Sequence, residues 1–115
     1  MSRSRGAALQ ASDAVPLFTA LADATRLGLL RRLAVDGPLS ITRLSEGTGV
    51  TRQAITKHLN TLGTVGLVRH ARRGRERVWE LERKRLEKAR AYLAHIAAQW
   101  DAAAARLKAF VEADS

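Results

Sequence analysis

Residues 44 to 59 read Leu44-Ser45-Glu46-Gly47-Thr48-Gly49-Val50-Thr51-Arg52-Gln53-Ala54-Ile55-Thr56-Lys57-His58-Leu59. Thr51 stands directly ahead of a segment with helical apolar spacing, where its hydroxyl can cap the first turn. Ala54, Ile55, Leu59 and Leu62 fall on one stripe, which leaves Arg52, Gln53, Thr56, Lys57 and Asn60 facing outward. That outward face is basic and rich in hydrogen-bonding groups. Upstream, Ser40 can cap a helix of about two turns through Ile41 and Leu44, which Gly47-Thr48-Gly49 brings to a stop. Two helices joined by a short turn, the second with a polar outer face, predict a helix-turn-helix.

Towards the N-terminus, Asp23 caps a predicted helix from Ala24 to about Val35, with Leu27, Leu30 and Leu33 on its buried face and Arg26, Arg31 and Arg32 towards solvent. Asp36-Gly37-Pro38 ends it. Ahead of it, Ser12-Asp13 can cap a short helix through Leu21, with Pro16 in the first turn, where a missing N–H costs nothing. Residues 1 to 12 are small, polar and basic without periodicity, and are read as a flexible arm. The folded domain is therefore expected to span residues 13–115.

Towards the C-terminus, Gly66 suits the left-handed position after a helix and Leu67-Val68 opens a strand. Alternation from Arg75 to Leu81 puts Trp79 and Leu81 on one face and predicts a hairpin turning near Arg73-Gly74, with Trp79 as a buried aromatic. The hairpin tip is nearly all arginine. From about residue 83 to 112 a long helix follows, in which Leu86, Leu93, Trp100 and Leu107 recur every seven residues. Ala89, Ile96, Ala103 and Phe110 do the same three positions later. This seam is longer than a core of this size can cover, and it is assigned to a partner helix. The predicted class is mainly α with a small β-hairpin, in the order α1-α2-α3-α4-β1-β2-α5 of a winged helix-turn-helix.

Composition narrows the partner. The chain has 115 residues, 46% of them hydrophobic, enough for one domain. Twenty Lys and Arg against eleven Asp and Glu give a net charge of +9, which favours a polyanion. Aromatics are 4% of the chain, too few for a platform that stacks single-stranded bases, so a duplex is the better ligand. The absence of cysteine excludes disulfides, thiolate metal sites and a cysteine nucleophile. There is no secretory h-region behind Arg3 and Arg5 and no apolar run of membrane-spanning length, so a cytoplasmic, non-membrane protein is expected. Three scattered histidines, no Gly-rich phosphate loop and no evident carboxylate pair argue against an enzyme.

The major groove of DNA is about 12 Å wide and admits one α-helix, whose N-terminal outward side chains read the base edges. Arg52 and Gln53 occupy that end: arginine can bond guanine O6 and N7, glutamine adenine N6 and N7. Thr56 offers a methyl or a hydroxyl one turn on. Lys57 and His58 can take phosphate oxygens, although His58 is equally a candidate for a packed cap. His70 and His95 are most simply surface or interface residues, and Trp100 a dimer anchor.

The segments Leu21-Ala22-Asp23-Ala24-Thr25-Arg26-Leu27, Leu44 through Leu59, Leu62 and Gly66-Leu67-Val68 together resemble the ArsR/SmtB family of bacterial winged-helix repressors, over roughly residues 14 to 110. That resemblance implies a homodimer built from the first and last helices, with Leu17, Phe18, Leu86, Leu93, Ile96, Trp100, Leu107 and Phe110 at the interface. It also implies that two recognition helices dock in successive major grooves of an inverted-repeat operator. By the same resemblance Thr51, Gln53, Thr56 and His58 match positions that touch DNA, and Arg72, Arg73, Arg75 and Arg77 lie on a wing that contacts backbone or minor groove. Metal-sensing members carry a cysteine pair on the helix before the recognition helix, or His and carboxylate ligands on the last. Here the first site is Ile41-Thr42-Arg43-Leu44, and His95 with Gln99 and Asp101 builds no convincing shell. No cofactor or metal is expected, and any small-molecule effector would be of another kind. The competing expectation is a sequence-tolerant architectural protein that coats DNA through charge alone.

Overall fold

Three of the helix starts are set by the capping side chains expected from the sequence. Asp23 accepts from the Arg26 amide at 2.9 Å, Ser40 from Arg43 at 3.2 Å and Thr51 from Ala54 at 3.1 Å. The computed structural model describes residues 8 to 113. Its elements are α1 (Ala11–Leu21), α2 (Ala24–Asp36), α3 (Ile41–Ser45), α4 (Arg52–Thr64), β1 (Val68–Arg73), β2 (Glu76–Leu81) and α5 (Arg83–Ala113). This is the mainly helical winged helix-turn-helix order, with one antiparallel hairpin.

The start of α1 differs from the sequence reading. Leu9 is buried in the core, and the Asp13 and Ala14 amides bond to the Gln10 carbonyl, so the helix begins at Ala11 with Gln10 as its cap. Ser12 and Asp13 therefore lie inside the first turn, and Pro16 sits in the second. Its missing N–H frees the carbonyl of Ser12 on an exposed stretch, where water can serve it. Of the expected arm, Leu9 thus lies in the core and Ala11 and Ser12 in α1; its first seven positions lie outside the described residues. In α2 the buried side chains are Leu29, Leu30 and Leu33, whereas Leu27 is exposed. The stripe of Arg26, Leu29, Leu30 and Leu33 faces inward because Arg26 is itself engaged, as described below.

Leu17, Leu44, Ile55, Leu59, Leu62 and Leu67 are fully buried and form the centre of the core. The turn between α3 and α4 is stitched by Thr48, whose hydroxyl donates to the Ser45 carbonyl at 2.9 Å and accepts from the Val50 amide at 3.0 Å. The end of α4 is closed by two bonds, Gly66 N–H to Gly63 carbonyl and Leu67 N–H to Leu62 carbonyl, both 3.0 Å. This reversal requires the left-handed backbone that Gly66 adopts at φ +81°. It delivers Leu67 into the core directly before β1.

In the hairpin, Val68 pairs with Leu81 and Arg73 with Glu76, so Gly74-Arg75 is a two-residue loop with Gly74 at φ +65°. The sequence reading missed a third, one-residue participant. The Leu39 amide and carbonyl bond to Trp79 at 3.0 and 2.9 Å, which ties the connection between α2 and α3 to β2.

α5 has 31 residues and so runs about 46 Å. Ala89 is buried and Leu86 and Tyr92 pack against the core, but beyond them Leu93, Ile96, Trp100, Leu107 and Phe110 are exposed. The projecting half raises the radius of gyration to 19.0 Å, against about 13 Å for a compact domain of this length.

Candidate nucleic-acid interface

The core stripe of α4 (Ile55, Leu59 and Leu62) packs inward and thereby turns the opposite side to solvent. Arg52, Gln53, Lys57 and Asn60 are exposed there, and neither Arg52 nor Lys57 has an acidic partner among the described residues. The Thr51 oxygen is occupied as the cap acceptor, which leaves its O–H able to donate to a phosphate at the positive end of the helix. The Thr56 hydroxyl donates to the Arg52 carbonyl at 2.9 Å, so this side chain presents its methyl and a remaining acceptor lone pair. Thr51, Arg52, Gln53, Thr56 and Lys57 are thus brought together on one end and face of α4.

His58 is not among them. At 100° per residue it lies about 140° around the helix from Gln53, and its side chain is only 25% exposed. Nδ1 faces the Arg26 Nη1 at 3.3 Å and the Asp23 carboxylate at 3.8 Å. Of the two sequence expectations for this residue, a phosphate contact and a packed cap, the observed geometry is the packed one. Arg26 was expected to point to solvent. Instead its Nε donates to the Ala20 carbonyl at 2.5 Å and Nη2 approaches the Thr19 carbonyl at 3.4 Å, so that it closes the C-terminal end of α1. The Asp23 carboxyl is held below the ordinary aspartate range, first by the bond from the Arg26 amide, with the Arg26 charge adding to it. No local pattern signals a pairing between residues 32 positions apart.

The wing has two electrostatically different faces. On one, Arg69 meets Glu80 at 2.7 Å and Glu82 at 3.4 Å, and Arg73 reaches Glu80 at 3.9 Å. Glu80 holds the Arg69 guanidinium more firmly protonated. On the other face the His70 ring packs tilted by 41° against Trp79, with ring centroids 3.9 Å apart, and next to them Arg72 lies directly opposite Arg77. Neither has an acidic partner among the described residues, nor has Arg75 at the tip. Like charges across a ladder repel; an anion between Arg72 and Arg77 relieves that repulsion. The sequence grouped Arg72, Arg73, Arg75 and Arg77 together; the register separates Arg73, which is drawn towards Glu80.

Of the expected interface residues, Leu93, Ile96, Trp100, Leu107 and Phe110 are exposed, Trp100 at 73% and Phe110 at 71%. Phe18 and Leu86 are half-buried, and Phe18 packs against Tyr92 with centroids 6.1 Å apart. Leu17 is a correction: at 1% exposure it is spent in the chain's own core, because Ala14, Leu17 and Ala20 form the inward stripe of α1. Among the described residues no three His, Asp or Glu side chains are clustered to hold a metal ion, and no helix is long and apolar enough to cross a membrane.

A model of a helix-turn-helix domain matches residues 21–71. Over 65 residues the chain is 40% identical to the HTH-type transcriptional regulator Rv2034 of Mycobacterium tuberculosis, a match covering 56% of this chain and 60% of that protein. It therefore spans less than two thirds of that relative's length. Among solved structures, an ArsR-like transcriptional regulator from Rhodococcus sp. RHA1 superimposes with a TM-score of 0.76 at 36% identity, over 84% of this chain and 91% of the other. The homodimeric winged helix-turn-helix DNA-binding domain of Mb0332 from Mycobacterium bovis, solved in solution, gives a TM-score of 0.60 at 26% identity, over 85% and 88% of the two chains.

Proposed function

The chain belongs to the ArsR family of helix-turn-helix transcriptional regulators, and from that premise we propose that it is a homodimeric, cytoplasmic repressor that binds an inverted-repeat operator in double-stranded DNA. The observation that carries the reading is the outward end of α4, where the Arg52, Gln53 and Lys57 side chains stand exposed without a partner among the described residues around a capped helix N-terminus. Arg52 and Gln53 read base edges, Thr51 and Lys57 take phosphates, and Thr56 presents its methyl group to thymine. Arg72, Arg75 and Arg77 extend the contact to flanking backbone or minor groove, with Arg73 in a lesser role. Two copies join through the exposed stripe of α5 from Leu93 to Phe110, with Phe18 and the edge of Leu86 beside it. The homodimeric Mb0332 domain supports that assembly by similarity. A small-molecule effector belongs to the proposal too: a cavity of about 1200 Å³ lies between Leu9, Gly66 and the first turns of α5, with Lys88, Tyr92 and His95 on its wall. It is large enough to take one.

Selection of bound duplexes from a random pool tests the function. A recovered palindrome with half-sites one helical turn apart is the expected result. A ratio of specific to non-specific affinity below about tenfold, rather than 10³ or more, would instead establish the architectural, sequence-tolerant alternative.

A further inference from the structure

The core contacts of α4 lie on one narrow stripe, Ile55, Leu59 and Leu62, all at its inner side. Burial of these three side chains fixes which side of α4 faces inward, because a large roll would lift all of them out of the core. Apolar packing is less directional than a hydrogen bond in setting the last few degrees of rotation. A groove-reading helix depends on that finer setting, since a recognition site must be held within about 10–20° of its productive geometry. Among the described residues, one side-chain tie of that directional kind lies on the flank of α4, the contact of His58 with Arg26.

All three guanidinium nitrogens of Arg26 are committed. Nε and Nη2 face the Ala20 and Thr19 carbonyls at the end of α1, and Nη1 faces His58 Nδ1 on α4. The backbone of Arg26 is fixed as well, because its amide donates to Asp23. Arginine supplies no acceptor, so His58 Nδ1 accepts and the ring carries its proton on Nε2. The Asp23 carboxylate 3.8 Å from Nδ1 completes the cluster on the α2 side. Three helices thus meet at Arg26, α1 through its terminal carbonyls, α2 through the Arg26 backbone and α4 through His58, which lies about 140° around α4 from the residue that would read bases.

We propose that His58 is a positioning residue for DNA recognition: Asp23 and Arg26 fix the rotation of α4 through it, and it does not itself contact DNA. This rests on the reading of α4 as the recognition helix. The test uses the full chain and the duplex recovered by selection, with His58→Gln and His58→Leu compared to the parent. The glutamine amide oxygen can still accept from Arg26, so His58→Gln is expected within about threefold of parental affinity, and His58→Leu should lower the specific-to-non-specific ratio about tenfold or more. Non-specific affinity and the salt slope should be unchanged in both. A direct phosphate contact predicts the opposite: His58→Leu weakens specific and non-specific duplexes alike and leaves their ratio unchanged. That outcome overturns the proposal.

Urea unfolding without DNA gives the independent reading. Arg26→Gln and His58→Leu should be non-additive in a double-mutant cycle, whereas additive effects overturn the tie. If the parent itself prefers no duplex, the recognition reading fails, whatever the cycle shows. A preferred duplex with additive unfolding effects removes only the positioning role.

Discussion

At the residue scale, exposure and ion pairing divide side chains that the sequence alone treats as equivalent. Arg52→Ala and Gln53→Ala should each weaken the selected duplex by about 1–3 kcal/mol and relax sequence preference at one position, as read by competition gel shifts. Arg72→Ala and Arg77→Ala should instead weaken all duplexes alike, each reducing the slope of log K against log[salt] by about one. The effect of Arg73→Ala should be smaller, since Glu80 already faces that guanidinium. Arg77→Glu makes the sharper experiment. It converts the like-charged Arg72–Arg77 cross-strand pair into an opposite one, so it should stabilise the hairpin by about 0.2–1 kcal/mol while DNA binding falls. A simultaneous loss of both stability and binding would sink the idea that the pair is kept for an anion. Asp23 gives a pH prediction. Its carboxyl titrates lower in the folded chain than in the unfolded one, first because the Arg26 amide bonds to the charged form. Its contribution to stability is therefore fully present above the unfolded value near 3.8 and is lost as pH falls through the lowered folded value. Asp23→Asn, which keeps a cap oxygen, should flatten the acid limb of a urea-midpoint profile below about pH 4.

At the element scale, the local chemistry of Thr51, Ser40 and Asp23 made three helix starts legible in the sequence, because a cap bond spans only three residues. The Gly66 reversal and the presence of a hairpin turn at Gly74 were legible for the same reason, while its register, with Arg73 paired and Arg75 in the loop, was not. What could not be read depends on contacts distant in the chain. Leu9 docking moved the start of α1 and put Pro16 in the second turn, the Leu39 bridge added a residue to β2, and Arg26 rotated the inward stripe of α2 towards Leu29. The outward residues of α4 were recognisable because one apolar stripe defines its opposite; His58, on the flank, was not assignable by that rule. The same locality makes Thr51→Ala a clean test of the α4 cap. Loss of its bond to the Ala54 amide should cost about 1 kcal/mol in urea unfolding. It should also cost DNA affinity beyond that loss of stability, because the hydroxyl that caps the helix is the one offered to phosphate. A variant that is destabilised but binds the duplex as tightly as the parent would remove Thr51 from the interface.

At the scale of the whole molecule, the isolated subunit leaves the distal half of its longest helix uncovered. Leu93, Ile96, Trp100, Leu107 and Phe110 form a stripe on a rod that stands clear of the core, and nothing among the described residues covers it. In the proposed dimer a second copy would bury that stripe against its own equivalent and hold two α4 helices at a fixed separation, which would make dimerisation and recognition of an inverted repeat one requirement. Trp100, the most exposed of the stripe, is the residue at which to break it. Trp100→Glu places two like charges in the seam without touching the core or α4. Sedimentation should then give a monomer where the parent is a dimer, and thermal unfolding should lose its dependence on protein concentration. Each subunit retains its reading face, so binding to an isolated half-site should match that of a parental subunit. Affinity for the full repeat should collapse towards that half-site level, because the second recognition event is no longer intramolecular. If Trp100→Glu proved monomeric yet bound the full repeat as tightly as the parent, the two half-sites would not be coupled through α5. An unchanged dimer would place the contact on another face of the chain, with Phe18 and the α1 surface next to be substituted.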